Sequence, residues 1–168
     1  MTFYLYGKKK EEQKMNLNIV PVTEKNRKEA EKLTVKKNQI HFIESVKECL
    51  QEADENKNWE PVCIYDDEKM IGFSMYGFMK NEKNPRVWFD RLLIDHHFQK
   101  MGYGRKAVEI LLHRIQKEFP NQNIYISAYE DNRVAFHLYE SFGFRTNGEL
   151  DINGEKIMVL NCKKSIDK

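Results

Sequence analysis

Between Val87 and Phe119 a strand-like run, a loop with two glycines and an amphipathic helix follow one another, and this unit constrains the chain more than any other feature. Val87 to Ile94 (Val-Trp-Phe-Asp-Arg-Leu-Leu-Ile) is the most strand-like segment present. Arg105 to Phe119 places Val108, Leu111, Leu112, Ile115 and Phe119 at three- and four-residue spacings, and Pro120-Asn121 ends the pattern. The loop between them holds Gln99-Lys100-Met101-Gly102-Tyr103-Gly104. The first amides of a helix lack intrahelical acceptors and point outward with the positive end of the helix dipole. Glycines at 102 and 104 let a diphosphate approach the backbone without meeting a Cβ, and Lys100, Arg105 and Lys106 add positive charge. The plainer reading is a pair of turn glycines. A dinucleotide or Mg-nucleotide loop is disfavoured, because neither G-x-G-x-x-G nor Gly-Lys-Ser/Thr is present.

Around this unit the chain alternates strand and helix signals. Leu17 to Val22 reads as a strand running into a cap at Thr23, and Glu24 to Lys36 and Ile40 to Ala53 read as helices. Pro61 to Tyr65 and Met70 to Phe78 form a hairpin across Asp66-Asp67-Glu68. Ile124 to Ala128 is a strand, and Arg133 to Phe142 a helix closed by Gly143. Arg145 to Ile152 and Lys156 to Leu160 flank Asn153-Gly154, a two-residue hairpin signal. The expected fold is α/β, with a mixed central sheet of about seven strands flanked by about four helices.

The 168 residues suit one domain over 15–168. Residues 1–14 read as an N-terminal extension; their basic run follows the apolar stretch, which is not the order of a secretory signal, and Met15 offers an alternative start. A net charge of +2 advertises neither nucleic acid nor an anionic membrane as partner. Three widely spaced cysteines without a C-x-x-C pair fit a reducing, cytoplasmic setting. No metal site is expected, since His96 and His97 are adjacent and His113 and His137 stand alone.

Gln99 to Gly104 resembles the Q/R-x-x-G-x-G/A signature of the GNAT superfamily of N-acetyltransferases. Lys100 departs from the pattern, because many members carry a further glycine there. A second motif of that family is matched by Asn132, Ala135 and Tyr139 followed by Gly143-Phe144. The resemblance spans Leu17 to Leu160 and implies acetyl-CoA as acetyl donor. It implies that Leu92, Leu93 and Ile94 pair with the pantetheine arm through their backbone. Gln99, Lys100, Met101, Gly102, Tyr103, Gly104 and Arg105 would hold the diphosphate, and Asn132, Ala135 and Tyr139 would line the rest. A homodimer is also implied.

Acetyl transfer to an amine requires a polarised thioester carbonyl, a neutral amine and a proton for the leaving thiolate. Tyr139 is the expected general acid, with an amphipathic core tyrosine as the structural alternative; Asn132, Ala135 and Tyr139 share a helix face by their spacing. An alkyl amine near pKa 10.4 is neutral in only about one molecule in a thousand at pH 7. Asp90, in an otherwise apolar strand, is expensive unless it lines a cavity or meets a cation. It is the expected base or ammonium anchor, with an ion pair to Arg91 as the structural alternative.

Beyond the superfamily motifs the chain resembles the bacterial spermidine/spermine (diamine) acetyltransferase branch. The stretches concerned are Asn38 to Ser45, Arg86 to Arg91 and Gly148 to Lys156. The resemblance implies a polyamine acceptor contacted by Asp90, with Glu44, Glu130 and Glu149 or Asp151 completing an anionic channel. Trp88, Phe42 and Tyr125 are candidates for an apolar lining. Other acceptors (a protein N-terminus, a lysine, an aminoglycoside) and a non-catalytic acyl-CoA sensor remain open alternatives.

Overall fold

The strands are β1 (Leu17–Pro21), β2 (Trp59–Asp66), β3 (Lys69–Phe78), β4 (Val87–Ile94), β5 (Ile124–Ala128), β6 (Arg145–Leu150) and β7 (Lys156–Leu160). In this computed structural model, which describes residues 14–162, they form one seven-stranded sheet in the order β1-β2-β3-β4-β5-β7-β6. Among the described residues the α-helices are α1 (Arg27–Ala30), α2 (Val46–Glu55), α3 (Tyr103–Glu118) and α4 (Arg133–Ser141). The expected α/β architecture is thus present. Residues 1–13 of the anticipated extension lie outside the described residues, whereas Met15 packs against the core.

Strands β1 to β4 form an antiparallel meander, and β5, β7 and β6 are antiparallel to one another. The two blocks meet at the parallel pair β4–β5. One sheet face buries Ile64, Tyr76 and Phe89 against Val108, Leu111 and Ile115 of α3 and Tyr139 of α4. The other buries Phe73, Met75 and Leu93 against Ala30 of α1 and Cys49 and Leu50 of α2. Each fully buried aliphatic or aromatic side chain contributes about 1.5–3 kcal/mol, so both helical layers are held mainly by burial.

Two helical expectations need correction. Of Glu24 to Lys36, only Arg27–Ala30 is α-helical. Beyond it Thr34 is claimed by tertiary bonds: its N–H donates to Asp95 Oδ2 at 3.0 Å, and its carbonyl accepts from His96 N at 2.8 Å. Those bonds hold the backbone out of a helix. The span Ile40 to Ala53 is divided: Lys37–Phe42 is a 3-10 turn, and α2 starts only after Ser45. Ser45 Oγ accepts from Glu48 N while the Glu48 carboxylate accepts from Ser45 N, a reciprocal cap that fixes the start. Ile40, outside α2, is consequently exposed.

Candidate active site

The parallel register of β4 and β5 covers only Val87 with Ile124 and Trp88 with Tyr125. Beyond these pairs the strands diverge, and a cleft of about 660 Å³ opens between them. Strand β4 also carries a bulge here. Met75 of β3 faces Arg91 and Tyr76 faces Phe89, so Asp90 is the extra residue. Phe89 and Leu92 pack into the α3 layer, while Arg91 reaches Glu44 and Glu52 on the α2 side. The buried Ser74 hydroxyl donates to Arg91 O at 2.7 Å, satisfying a carbonyl at the irregular step.

Asp90, Leu92, Leu93 and Ile94 form one wall of the cleft, and Ser127, Ala128 and Tyr129 the other. Gln99, Lys100, Gly104 and Arg105 lie at one end, with Asn132, Ala135 and Tyr139 from α4 beside them. The loop reaches α3 through Gly102 at φ 88°, so α3 begins with the free amides of Tyr103 and Gly104. A Cβ on Gly104 would meet only Leu138 Cδ2, at 3.8 Å. That leaves room over the helix start for an incoming anion. Lys100 takes φ 60°, which accounts for a glycine preference at this position. The Gln99 amide donates to Ile94 O at 3.0 Å, tying the loop to the end of β4. Asn132 Oδ1 accepts from Ala135 N and caps α4. Tyr103 is buried, donates its hydroxyl to Asp66 Oδ2 at 2.5 Å, and does not line the cleft. Met101 and Gly102 likewise do not line the cleft.

Tyr139 packs edge-on between Phe89 and Phe144, with centroid separations of 6.3 and 6.0 Å. It is 7% exposed, lines the cleft, and has no hydrogen-bond partner among the described residues. Burial raises its pKa above the ordinary phenol value, so the hydroxyl remains protonated. Asp90 is 14% exposed and its carboxylate accepts from Arg91 Nη1. The carboxylate both lines a cavity and meets a cation. Burial, opposed by Arg91 and reinforced by Glu52 and Glu44, raises the Asp90 pKa to about 6.

The remaining candidates divide. Glu44 lines the cleft, its Oε2 lying 2.9 Å from Arg91 Nε. Glu149 is outside, in a two-pronged pair with Arg86 at 2.9 and 3.0 Å. Glu130 pairs with Lys156 at 2.9 Å and is 74% exposed. Asp151 accepts from Asn153 N and Glu155 N, pinning the β6–β7 turn. Of the expected apolar lining, Phe42 is at the cleft. Trp88 stacks on Tyr125, which in turn carries Arg86, away from it. Glu155, which had no role on sequence grounds, lines the cleft instead. The signal available was its position just after Asn153-Gly154 and just before β7. Asp95, His96 and His97 come within 4.8 Å of one another, closer than adjacency suggests. Both Asp95 oxygens already accept backbone N–H groups of Thr34 and His97.

A family model described as "Acetyltransferase (GNAT) family" matches residues 26–144. The chain belongs to the GNAT family. The GNAT chain is 42% identical over 149 residues to the "Spermine/spermidine N(1)-acetyltransferase" of Bacillus subtilis (strain 168), covering 86% of this chain and 98% of that one. It superposes with a TM-score of 0.65 and 21% identity on the spermidine N-acetyltransferase of Vibrio cholerae solved with CoA and spermine, covering 85% and 92%. The ribosomal-protein-S18-alanine N-acetyltransferase of Escherichia coli gives the same TM-score at 18% identity, covering 91% and 99%. The shared fold therefore does not separate polyamine from protein acceptors. The expectation of an acetyl-CoA-dependent acetyltransferase is met, and the free amides at the start of α3 and the bare Gly104 surface fit its donor.

Proposed function

We propose that the chain transfers the acetyl group of acetyl-CoA to a primary amine of spermidine or spermine. The observation that carries the acceptor choice is the convergence of Asp90, Glu44 and Glu155 on one cleft that also contains Tyr139. Several spaced carboxylates suit a flexible polycation, and Phe42 and Tyr129 offer apolar surface to its methylenes. The similarity to the Bacillus subtilis enzyme supports the same acceptor.

In this reading the diphosphate of acetyl-CoA meets the first amides of α3, with Lys100 and Arg105 beside it. Backbone groups of Leu92 to Ile94, freed by the divergence of β4 from β5, hold the pantetheine arm. Asp90 and Glu44 attract the substrate ammonium. Once deprotonated, its nitrogen attacks the thioester carbonyl, the C–S bond breaks, and Tyr139 protonates the departing sulfur. The nitrogen's surplus proton leaves to solvent, and Tyr139 is reprotonated. A buried phenol is a weak acid, but a thiolate forming in the same dry site is a correspondingly stronger base.

The test is release of CoA thiol with a panel of amines. Spermidine and spermine are expected to stimulate it strongly; turnover with peptides or aminoglycosides alone would exclude the polyamine reading. The enzyme is further taken to be cytoplasmic and a homodimer. The dimer reading is supported by Leu150 and Ile152 of the β6–β7 hairpin, which are 62% and 99% exposed. Sedimentation at a monomer mass would remove it.

A further inference from the structure

We propose that Glu155 binds a second, non-reacting ammonium group of the polyamine, at the junction of the main cleft with an adjoining lobe. This rests on the polyamine reading and extends it to the part of the substrate that does not react. The lobe has a volume of about 450 Å³ and shares Glu44, Tyr129, Phe42 and Glu155 with the cleft. A linear molecule with its reacting nitrogen near Tyr139 and Asp90 can continue past this junction. Phe42 and Tyr129, which line both cavities, pack against each other with ring centroids 6.4 Å apart and present apolar surface at the junction.

The position of Glu155 is set by its backbone. Its N–H donates to Asp151 Oδ1 at 2.9 Å, and its carbonyl accepts from Asp151 N at 2.9 Å. Its side chain lies against Asp151 as well, the two carboxyl groups sharing a hydrogen bond, and it lines both the cleft and the lobe. Ser127 Oγ donates to Glu155 Oε2 at 3.3 Å, a long contact.

The charges around it are unbalanced. Asp151 from its own hairpin and Glu44 across the cleft are acidic, and Arg91 of β4 is the opposing cation. Arg91 is already shared among Asp90, Glu44 and Glu52. Burial, then the contact with Asp151, raises the Glu155 pKa to about 8. At neutral pH the group is mostly protonated, and an arriving ammonium supplies the missing cation. Binding then converts the carboxyl to a carboxylate paired with the ammonium and releases one proton to solvent.

The test compares wild type, Glu155→Gln and Glu155→Asp with spermidine and with propylamine, which has only the reacting nitrogen. Glu155→Gln is expected to raise the spermidine KM at least about tenfold. KM for acetyl-CoA and for propylamine should stay within about twofold, with kcat little changed, and Glu155→Asp should recover much of the loss. Calorimetry of spermidine binding at pH 7 in buffers of different ionisation enthalpy should show release of about one proton by wild type and almost none by Glu155→Gln. An unchanged spermidine KM in the variant overturns the inference, as does an equal loss with propylamine. If wild type acetylates no polyamine, the proposed function falls with it; if wild type does and Glu155→Gln matches it, only this inference falls.

Discussion

Asp90 and Arg91 are consecutive in the chain, yet Arg91 Nη1 donates to the Asp90 carboxylate on one side of β4. In a regular strand successive side chains point to opposite faces. Here the bulge opposite Met75 and Tyr76 brings both toward α2 and the cleft. An otherwise apolar strand thereby gains a charged pair at the point where β4 parts from β5.

Ser74 supports that irregular step through its hydroxyl on Arg91 O. Ser74→Ala is expected to cost about 1–3 kcal/mol in urea unfolding, because a buried carbonyl loses its donor. The variant should also lose amine affinity while keeping affinity for CoA. Unchanged stability would separate Ser74 from the bulge.

Gly104 and Gly102 separate binding from folding. Gly104→Ala is expected to fold at least as stably, gaining up to about 1 kcal/mol of helix propensity, because its Cβ meets only Leu138 at 3.8 Å. Its affinity for CoA should fall about tenfold or more as the Cβ enters the diphosphate's approach. Gly102→Ala, forced to φ 88°, should instead lose about 1–2 kcal/mol of stability. Calorimetry of CoA binding beside thermal melts distinguishes the two.

Tyr139→Phe removes a hydroxyl without a hydrogen-bond partner among the described residues, so stability should change by less than about 1 kcal/mol. Turnover should drop by about 10²–10⁴-fold if the phenol is the proton donor. Dissociation of CoA, followed by fluorescence, should stay within about twofold of wild type. Retained turnover in the folded variant would remove Tyr139 from the acid role.

Asp90 gives a pH signature. Its folded pKa of about 6 lies above its ordinary value of 3.8, so between these pH values the folded state keeps a proton that the unfolded chain releases. Stability from this group is therefore present below about pH 4 and lost as pH rises through about 6, by at most about 3 kcal/mol. Asp90→Asn should flatten that segment of the urea-midpoint profile relative to wild type. A parallel profile would place the titration elsewhere.

Glu44 and Glu149 discriminate the carboxylates by location. Glu44→Gln should raise the polyamine KM several-fold, since Glu44 lines the cleft. Glu149→Gln should leave KM within about twofold, since its carboxylate is taken by Arg86 outside the cleft. Steady-state kinetics with spermidine check both; the reverse order would reject the assignment.

The sequence by itself determined the order and kind of the strands, the long helix after the glycine loop and the family motifs around it. These rest on local period and local backbone demands, such as the left-handed turn at Gly102. Even the cap at Ser45 was written there, in Ser45-Val46-Lys47-Glu48. Tertiary structure decided which carboxylates meet. Glu149 and Glu155 sit on the same hairpin, but one pairs with Arg86 while the other lines the cleft. It also decided the fate of Thr34, whose backbone is drawn to Asp95 across 61 residues, and the bulge at Asp90. Such features depend on register between distant strands and on long-range hydrogen bonds, which no local periodicity encodes.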